Sequence, residues 1–279
     1  MKGKLYLVAT PIGNLEDITI RALNILKQVD LIAAEDTRHT LGLLNHFEIS
    51  KPLISYYKEI EKEKSKVLIN KLLEGNDIAL VSDAGTPGIS DPGEEIVKQA
   101  IENEIEIIPI PGACAFVNAL IASGMNTKEF SFIGFLSANK KEKKDKLEEI
   151  KYETRTLIFY EAPHKIKNTL EVMYEVLGNR KIVLARELTK IHEEFIRTDL
   201  STICEDIGDN IKGEFVIIVD GNEESKKDIE LASLNEKSLE EHYDFYENQG
   251  LDKKEIIKKI AKDRNVNKNE IYQYFLDKK

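Results

Sequence analysis

The chain has 279 residues, 42% of them hydrophobic and 32% charged, with a formal net charge of −10 at pH 7. That length and content allow two domains with an appendage, each with its own core, and the acidic balance argues against nucleic-acid binding through the whole surface, though not against a local basic face. No apolar run approaches the ~20 residues of a membrane span. Cys114 and Cys204 are too few for a disulfide framework or a cysteine zinc site. The five histidines and the carboxylates lack ligand spacing, so no metal is expected. The run Leu5 to Ala9 is short for a signal peptide and is better read as a buried first strand, with a cytoplasmic location expected.

Lys4 to Ala9 (KLYLVA) opens the chain as a strand and runs into the turn sequence TPIGN. A helix follows Glu16-Asp17, with apolar residues at Ile18, Ala22, Ile25, Leu26 and Val29. Leu31 to Ala34 is a second strand, ending in EDTRHT before another helix. Pro52 to Ser55 is a candidate third strand, and 57–74 a charged helix. Ile78 to Val81 is an uninterrupted apolar run, as expected of a strand buried on both faces. The next twelve residues, SDAGTPGISDPG, hold three glycines and two prolines and can continue neither strand nor helix. A helix is expected from Glu94, with acids in its first turn. Ile105 to Ile110 is the next strand, ended by Pro111-Gly112 and followed by the helix ACAFVNALIASG. The βα alternation implies a parallel sheet. There is neither a GxGxxG nor a GxxxxGK[ST] motif, so dinucleotide and P-loop readings fall away. Four polar loops at one sheet edge could build a single cleft, although SDAGTPGISDPG could also be an ordinary long connection.

The second half has a different texture. Strands are expected at 130–136, 156–160, 182–185 and 214–219, with helices over 165–177 and near 201–207, which suggests a mixed sheet. Lys140, Lys141, Lys143, Lys144 and Lys146 are either a solvated helix face or a phosphate-contacting surface. From residue 223 to 250 there are nine acids and three bases; from 251 to 279 there are nine bases and five acids. The last stretch reads as helix, turn, helix with a basic outer face, either a small cap or an RNA contact. The expected domains are 1–115, 116–222 and an acidic linker with basic helices over 223–279.

Five segments carry a resemblance: LVATPIGNLEDIT (7–19), AEDTRHT (34–40), LVSDAGTPGISDPG (80–93), YEAPHKI (160–166) and RELTKIHEE (186–194). Together and in this order they resemble the ribosomal RNA ribose methyltransferases of the tetrapyrrole-methylase-like family. The resemblance implies two α/β domains of the class III methyltransferase type, with S-adenosylmethionine bound in the cleft between them, a C-terminal helical domain and a homodimer. It implies 2′-O-methylation of a cytidine ribose in the decoding region of 16S rRNA. The chain departs from the pattern at PGACA (111–115), usually PGPSA, and at GFLS (134–137), usually GFLP. Alternatives are a tetrapyrrole or protein methylase of the same fold, and a non-enzymatic RNA-binding factor.

The resemblance places Gly85, Thr86, Pro87 and Ile89 against the donor, with Pro11, Ala113 and Cys114 from neighbouring loops. Tyr160, Leu188, Gly213 and Glu214 would close the cleft from the second domain. Asp83 either bonds a donor hydroxyl or caps a turn. A ribose hydroxyl is a weak nucleophile, which calls for a base or a cation. Candidates are Glu35, Asp36, Arg38 and Glu161, with His164 and Glu187 as further groups. His39 and His164 are otherwise structural or RNA-contacting, and Arg186 is either a phosphate anchor or an ion-pair partner of Glu187. RNA contacts are expected from Lys140, Lys141, Lys143, Lys144, Arg186, Lys258, Lys259 and Arg264.

Overall fold

The computed structural model describes residues 1–208 and 212–277, with the backbone alone at 277. It divides into two compact units, one comprising 1–148 with 155–220, the other 149–154 with 221–279.

The first half of the larger unit alternates β1 (Leu5–Val8), α1 (Ile20–Gln28), β2 (Leu31–Ala34), α2 (Thr37–His46), β3 (Leu53–Ser55), α3 (Glu61–Leu73), β4 (Ile78–Val81), α4 (Glu94–Glu102), β5 (Ile107–Ile110) and α5 (Ala115–Ser123). The five strands form a parallel sheet in the order β3-β2-β4-β1-β5. β4 lies at its centre and is buried at every position, which is why its sequence is apolar without alternation. One face packs Leu5, Leu68, Leu72 and Ile96; the other packs Val8, Leu26, Ile32 and Leu44. Pro109 lies in the edge strand β5, where its missing N–H interrupts no ladder inside the sheet. The first helix begins later than its acidic lead suggested. Residues 15–17 form a 3₁₀ turn, and Thr19 caps α1 by accepting from Ala22 N–H.

The second half runs β6 (Phe130–Phe135), α6 (Lys140–Glu149), β7 (Thr156–Glu161), α7 (Ile166–Leu177), β8 (Lys181–Arg186), β9 (Glu194–Asp199), α8 (Leu200–Asp206) and β10 (Phe215–Val219). Its sheet is mixed, in the order β6-β7-β10-β8-β9, with β6 parallel to β7 and the other pairs antiparallel. Ile158, Val183, Val216 and Ile218 pack beneath Ala119 and Leu120 of α5, so that helix belongs to the core of the second sheet.

In the smaller unit the acidic stretch read as a linker is helical: α9 (Lys226–Glu236) and α10 (Leu239–Glu247) precede α11 (Lys253–Asp263) and α12 (Lys268–Asp277). Capping boxes explain the difference, since Ser225 with Asp228 and Ser238 with Glu241 satisfy each helix start reciprocally. Ile256, Ile257, Ile260 and Ile271 form its core with Tyr246. His242 is fully buried there, with its Nδ1 accepting from Arg264 Nε.

Candidate active site

The long loop after β4 is tied to its neighbours by the backbone. Thr10 and Gly85 exchange N–H···O bonds of 2.8 and 3.1 Å, an isolated antiparallel bridge between the first loop and the central one. Thr10 Oγ1 donates to Ser82 O at 3.1 Å, and Thr86 Oγ1 to Ala113 O at 3.0 Å. Asp36 N–H donates to Asp83 Oδ1 at 3.0 Å, which draws in the loop after β2. Gly85 holds φ +85°, and a Cβ there would come within 3.1 Å of Ile12 Cγ2. Both its conformation and its crowding call for glycine. Gly93 starts α4 without a side chain to cap it. Glu61 of α3 does so instead, accepting from Gly93 and Glu95 N–H at 2.8 and 3.2 Å.

Above these loops lies a cavity of ≈ 550 Å³, within the size range of cofactor sites. The first sheet contributes Ile12, Glu35, Asp83 to Thr86, Ile89 to Asp91 and Cys114; the second contributes Phe135, Tyr160 to His164, Glu187, Leu188, Lys190 and Glu214 to Val216. Tyr160 Oη accepts from Phe116 N–H at 3.2 Å, so the β7 end is fastened to the start of α5. Burial of Tyr160 pushes its phenol well above the ordinary range. Burial, reinforced by the Glu35 and Asp83 carboxylates, raises Asp91 to about 7, and burial with Asp83 raises Glu35. Cys114 is also pushed up by burial.

Of the residues expected at the donor, Asp83, Gly85, Thr86, Ile89, Cys114, Tyr160, Leu188 and Glu214 line this cavity, as do Glu35, Glu161, His164 and Glu187. Four do not. Pro11 and Pro87 are buried, Ala113 offers its carbonyl to Thr86, and Gly213 sits behind the Glu187 side chain. Asp36 and Arg38, expected in catalysis, also lie outside the lining. Asp36 caps α2 by accepting from Arg38 N–H, and the exposed Arg38 guanidinium pairs with it at 3.0 Å, holding the carboxyl down at about 2. Glu161 accepts from Ala162 N–H and from Thr169 Oγ1 at 2.6 Å, so its oxygens are already engaged by the protein.

The lysine run does not form one exposed face. Lys143 is 2% exposed and donates to Asn168 Oδ1 and Thr169 Oγ1 at 3.1 and 2.7 Å. It therefore belongs to the interior beside Glu161, not to a phosphate-contacting face. Lys140 and Lys141 are exposed, and Lys144 pairs with Glu175 at 2.6 Å. Arg186 donates to Lys212 O at 2.8 Å and pairs with Glu194 rather than Glu187. In the smaller unit Lys258 is exposed, Lys259 lies over the Tyr246 ring, and Arg264 is committed to the carbonyls of Leu234, Lys237 and Ser238. Asp91 falls within SDAGTPGISDPG and Lys190 within RELTK, motifs whose composition gives neither residue a role. A polar residue in a glycine-rich loop carries no signal of whether it faces the cavity.

The cleft thus lies at the carboxyl ends of a parallel sheet and is closed by a second, mixed sheet. The chain belongs to the tetrapyrrole (corrin/porphyrin) methylase family, whose model matches residues 4–204. Within it, ribosomal RNA small subunit methyltransferase I of Halalkalibacterium halodurans is 52% identical over 275 residues, 98% of this chain and 95% of its own. The protein of that name from Bacillus subtilis is 50% identical over 277 residues, 98% of this chain and 94% of its own. The fold matches that of uroporphyrin-III C-methyltransferase from Thermus thermophilus, solved with S-adenyl homocysteine. The TM-score is 0.56 at 15% identity, over 77% of this chain and 97% of that one.

The residues present fit S-adenosylmethionine, the donor implied by the family resemblance. Ile12, Leu188, Phe215 and Val216 give the cavity an apolar part, and the Glu35, Asp83 and Asp91 carboxylates suit a cationic donor.

Proposed function

We propose that this protein uses S-adenosylmethionine to methylate the ribose 2′-hydroxyl of a cytidine in the decoding region of 16S rRNA. The observation that carries the reading is a cavity with the chemistry of a methyl-donor site in a chain 52% identical, over 98% of its length, to a small subunit rRNA methyltransferase. The donor supplies a methyl group on a sulfonium that leaves readily, so orientation of the two reactants supplies most of the rate. Gly85, Thr86 and Ile89 hold the donor from the first sheet, with Pro11, Pro87 and Ala113 setting the shape of their loops. Leu188, Tyr160 and Glu214 close on it from the second sheet, with Gly213 giving Glu187 its place. Glu35 and Asp91 bind protons more tightly than ordinary carboxylates and are the groups suited to take the hydroxyl proton near neutral pH.

The donor cleft belongs to domains 1–115 and 116–222, and the helices after 223 are a separate module. Lys140, Lys141 and Lys258 contact RNA phosphates in the small subunit. A second copy of the chain covers the outer face of α5, where Val117 is 43% and Ile121 68% exposed on the most apolar of the helices. The protein works in the cytoplasm, with the ribosomes.

Two measurements test the reading. Calorimetry should detect S-adenosylmethionine binding, and none would remove any methyltransferase role. Ribose-methylation mapping of 16S rRNA, with and without the gene, should show one decoding-region cytidine losing its methyl group. Full methylation in the deletion strain would rule out the substrate.

A further inference from the structure

Six carboxylates line the cavity: Glu35, Asp83, Asp91, Glu161, Glu187 and Glu214. Such a wall favours a cationic donor and repels a phosphodiester strand. Among the described residues lining it, Lys190 is the only lysine or arginine. Three separate segments fix its position. Its stem crosses Gly13, where a Cβ would fall 2.5 Å from Lys190 Cγ and 2.9 Å from Cε. Its ammonium donates to Glu187 Oε1 at 2.9 Å. Glu187 in turn rests against Gly213, where a Cβ would fall 2.6 Å from that same oxygen. Between them the backbone is left-handed at Glu187 (φ 50°) and Thr189 (φ 66°), conformations unusual for a glutamate and more so for a β-branched residue. Thr189 N–H is anchored on Glu193 Oε2 at 2.7 Å. Glu187 engages one of the three ammonium donors, and the lysine side chain is 35% exposed.

We propose that Lys190 contacts a phosphate of the acceptor strand beside the target nucleotide and so sets the ribose in register with the donor. This rests on the reading of the protein as an rRNA methyltransferase. The cation is needed because the strand enters an otherwise acidic cleft. The close approaches at Gly13 and Gly213 keep the ammonium at the wall when no RNA is bound.

The test uses the full chain with small ribosomal subunits, and in parallel protein-free 16S rRNA, as acceptor. Lys190→Met should raise KM for the acceptor about ten-fold, the usual loss of one charge-assisted hydrogen bond, with kcat within about two-fold and donor Kd by calorimetry unchanged. The slope of log kcat/KM against log salt should become shallower by about 0.7, one phosphate contact to a single strand. Lys190→Arg should restore most of the affinity. An unchanged salt slope, or a donor Kd that rises with KM, would overturn the proposal. Wild-type protein inactive on both acceptors would instead remove the rRNA reading, and this inference with it.

Discussion

The two walls of the cleft are built by different means. On the first sheet, backbone does the shaping. Thr10 and Gly85 pair main chain to main chain, Gly85 turns where a side chain would collide, and Thr86 reaches a carbonyl. On the second sheet, side chains do it. Lys143, Thr169 and Glu161 form a buried chain of hydrogen bonds at the end of β7, while Lys190 and Glu187 brace the turn after β8. A backbone-shaped wall tolerates side-chain change but not added volume. A side-chain-shaped wall responds to loss of a single polar group.

Gly85→Val should have the largest effect. Left-handed strain of ~1–2 kcal/mol and overpacking of ~1–3 kcal/mol against Ile12 can be relieved only by moving the loop, and the displaced loop should lose most of its donor affinity. Calorimetry checks the Kd, and an unchanged far-UV spectrum shows that the fold survives. Normal donor binding would remove the backbone-shaped wall from the comparison. Lys143→Met should cost about 2–3 kcal/mol of stability in urea titration, because Asn168 and Thr169 lose a buried donor. RNA affinity of the folded variant should match wild type. A selective loss of RNA binding would return Lys143 to the surface role expected from its sequence.

Asp91→Asn addresses the junction of the walls. Its folded value of about 7 lies above that of an unfolded aspartate. The folded chain therefore holds a proton that the unfolded chain has released, and stability falls as pH rises from about 4 to about 7. The asparagine variant should melt at the wild-type temperature near pH 4 and a few degrees higher at pH 8. Donor affinity of wild type should rise over pH 6–8 as the carboxylate charges, and this rise should flatten in the variant. Parallel melting curves at both pH values would reject the assignment. Thr189→Gly is the smallest change. Relief of the left-handed φ exceeds the entropy that glycine adds to the unfolded chain, for a net gain of about 0.5 kcal/mol.

The same contrast explains what could be read in advance. The parallel sheet and the loops at its carboxyl edge were legible because apolar runs ending in Gly, Pro and Asp report backbone directly. β9 was not, because its residues are exposed or half-buried at this edge strand, so Glu194 to Asp199 shows no apolar run. AEDTRHT looked catalytic by composition, yet Asp36 and Arg38 serve a helix start. Lys143 had a usable signal: Leu147, four residues on, is the only apolar side chain of α6, which places Lys143 on the inward face. No comparable pattern marked Lys190, whose position depends on two glycines far away in the chain.

Pro109 carries one more consequence. A parallel sheet assembles slowly, because each pairing closes a long loop, and its edges stay open to other chains meanwhile. At β5 an incoming strand would meet a ring nitrogen where it needs a donor, so it could not complete a continuous ladder. Pro109 thus leaves this edge of the sheet a poor template for a further strand.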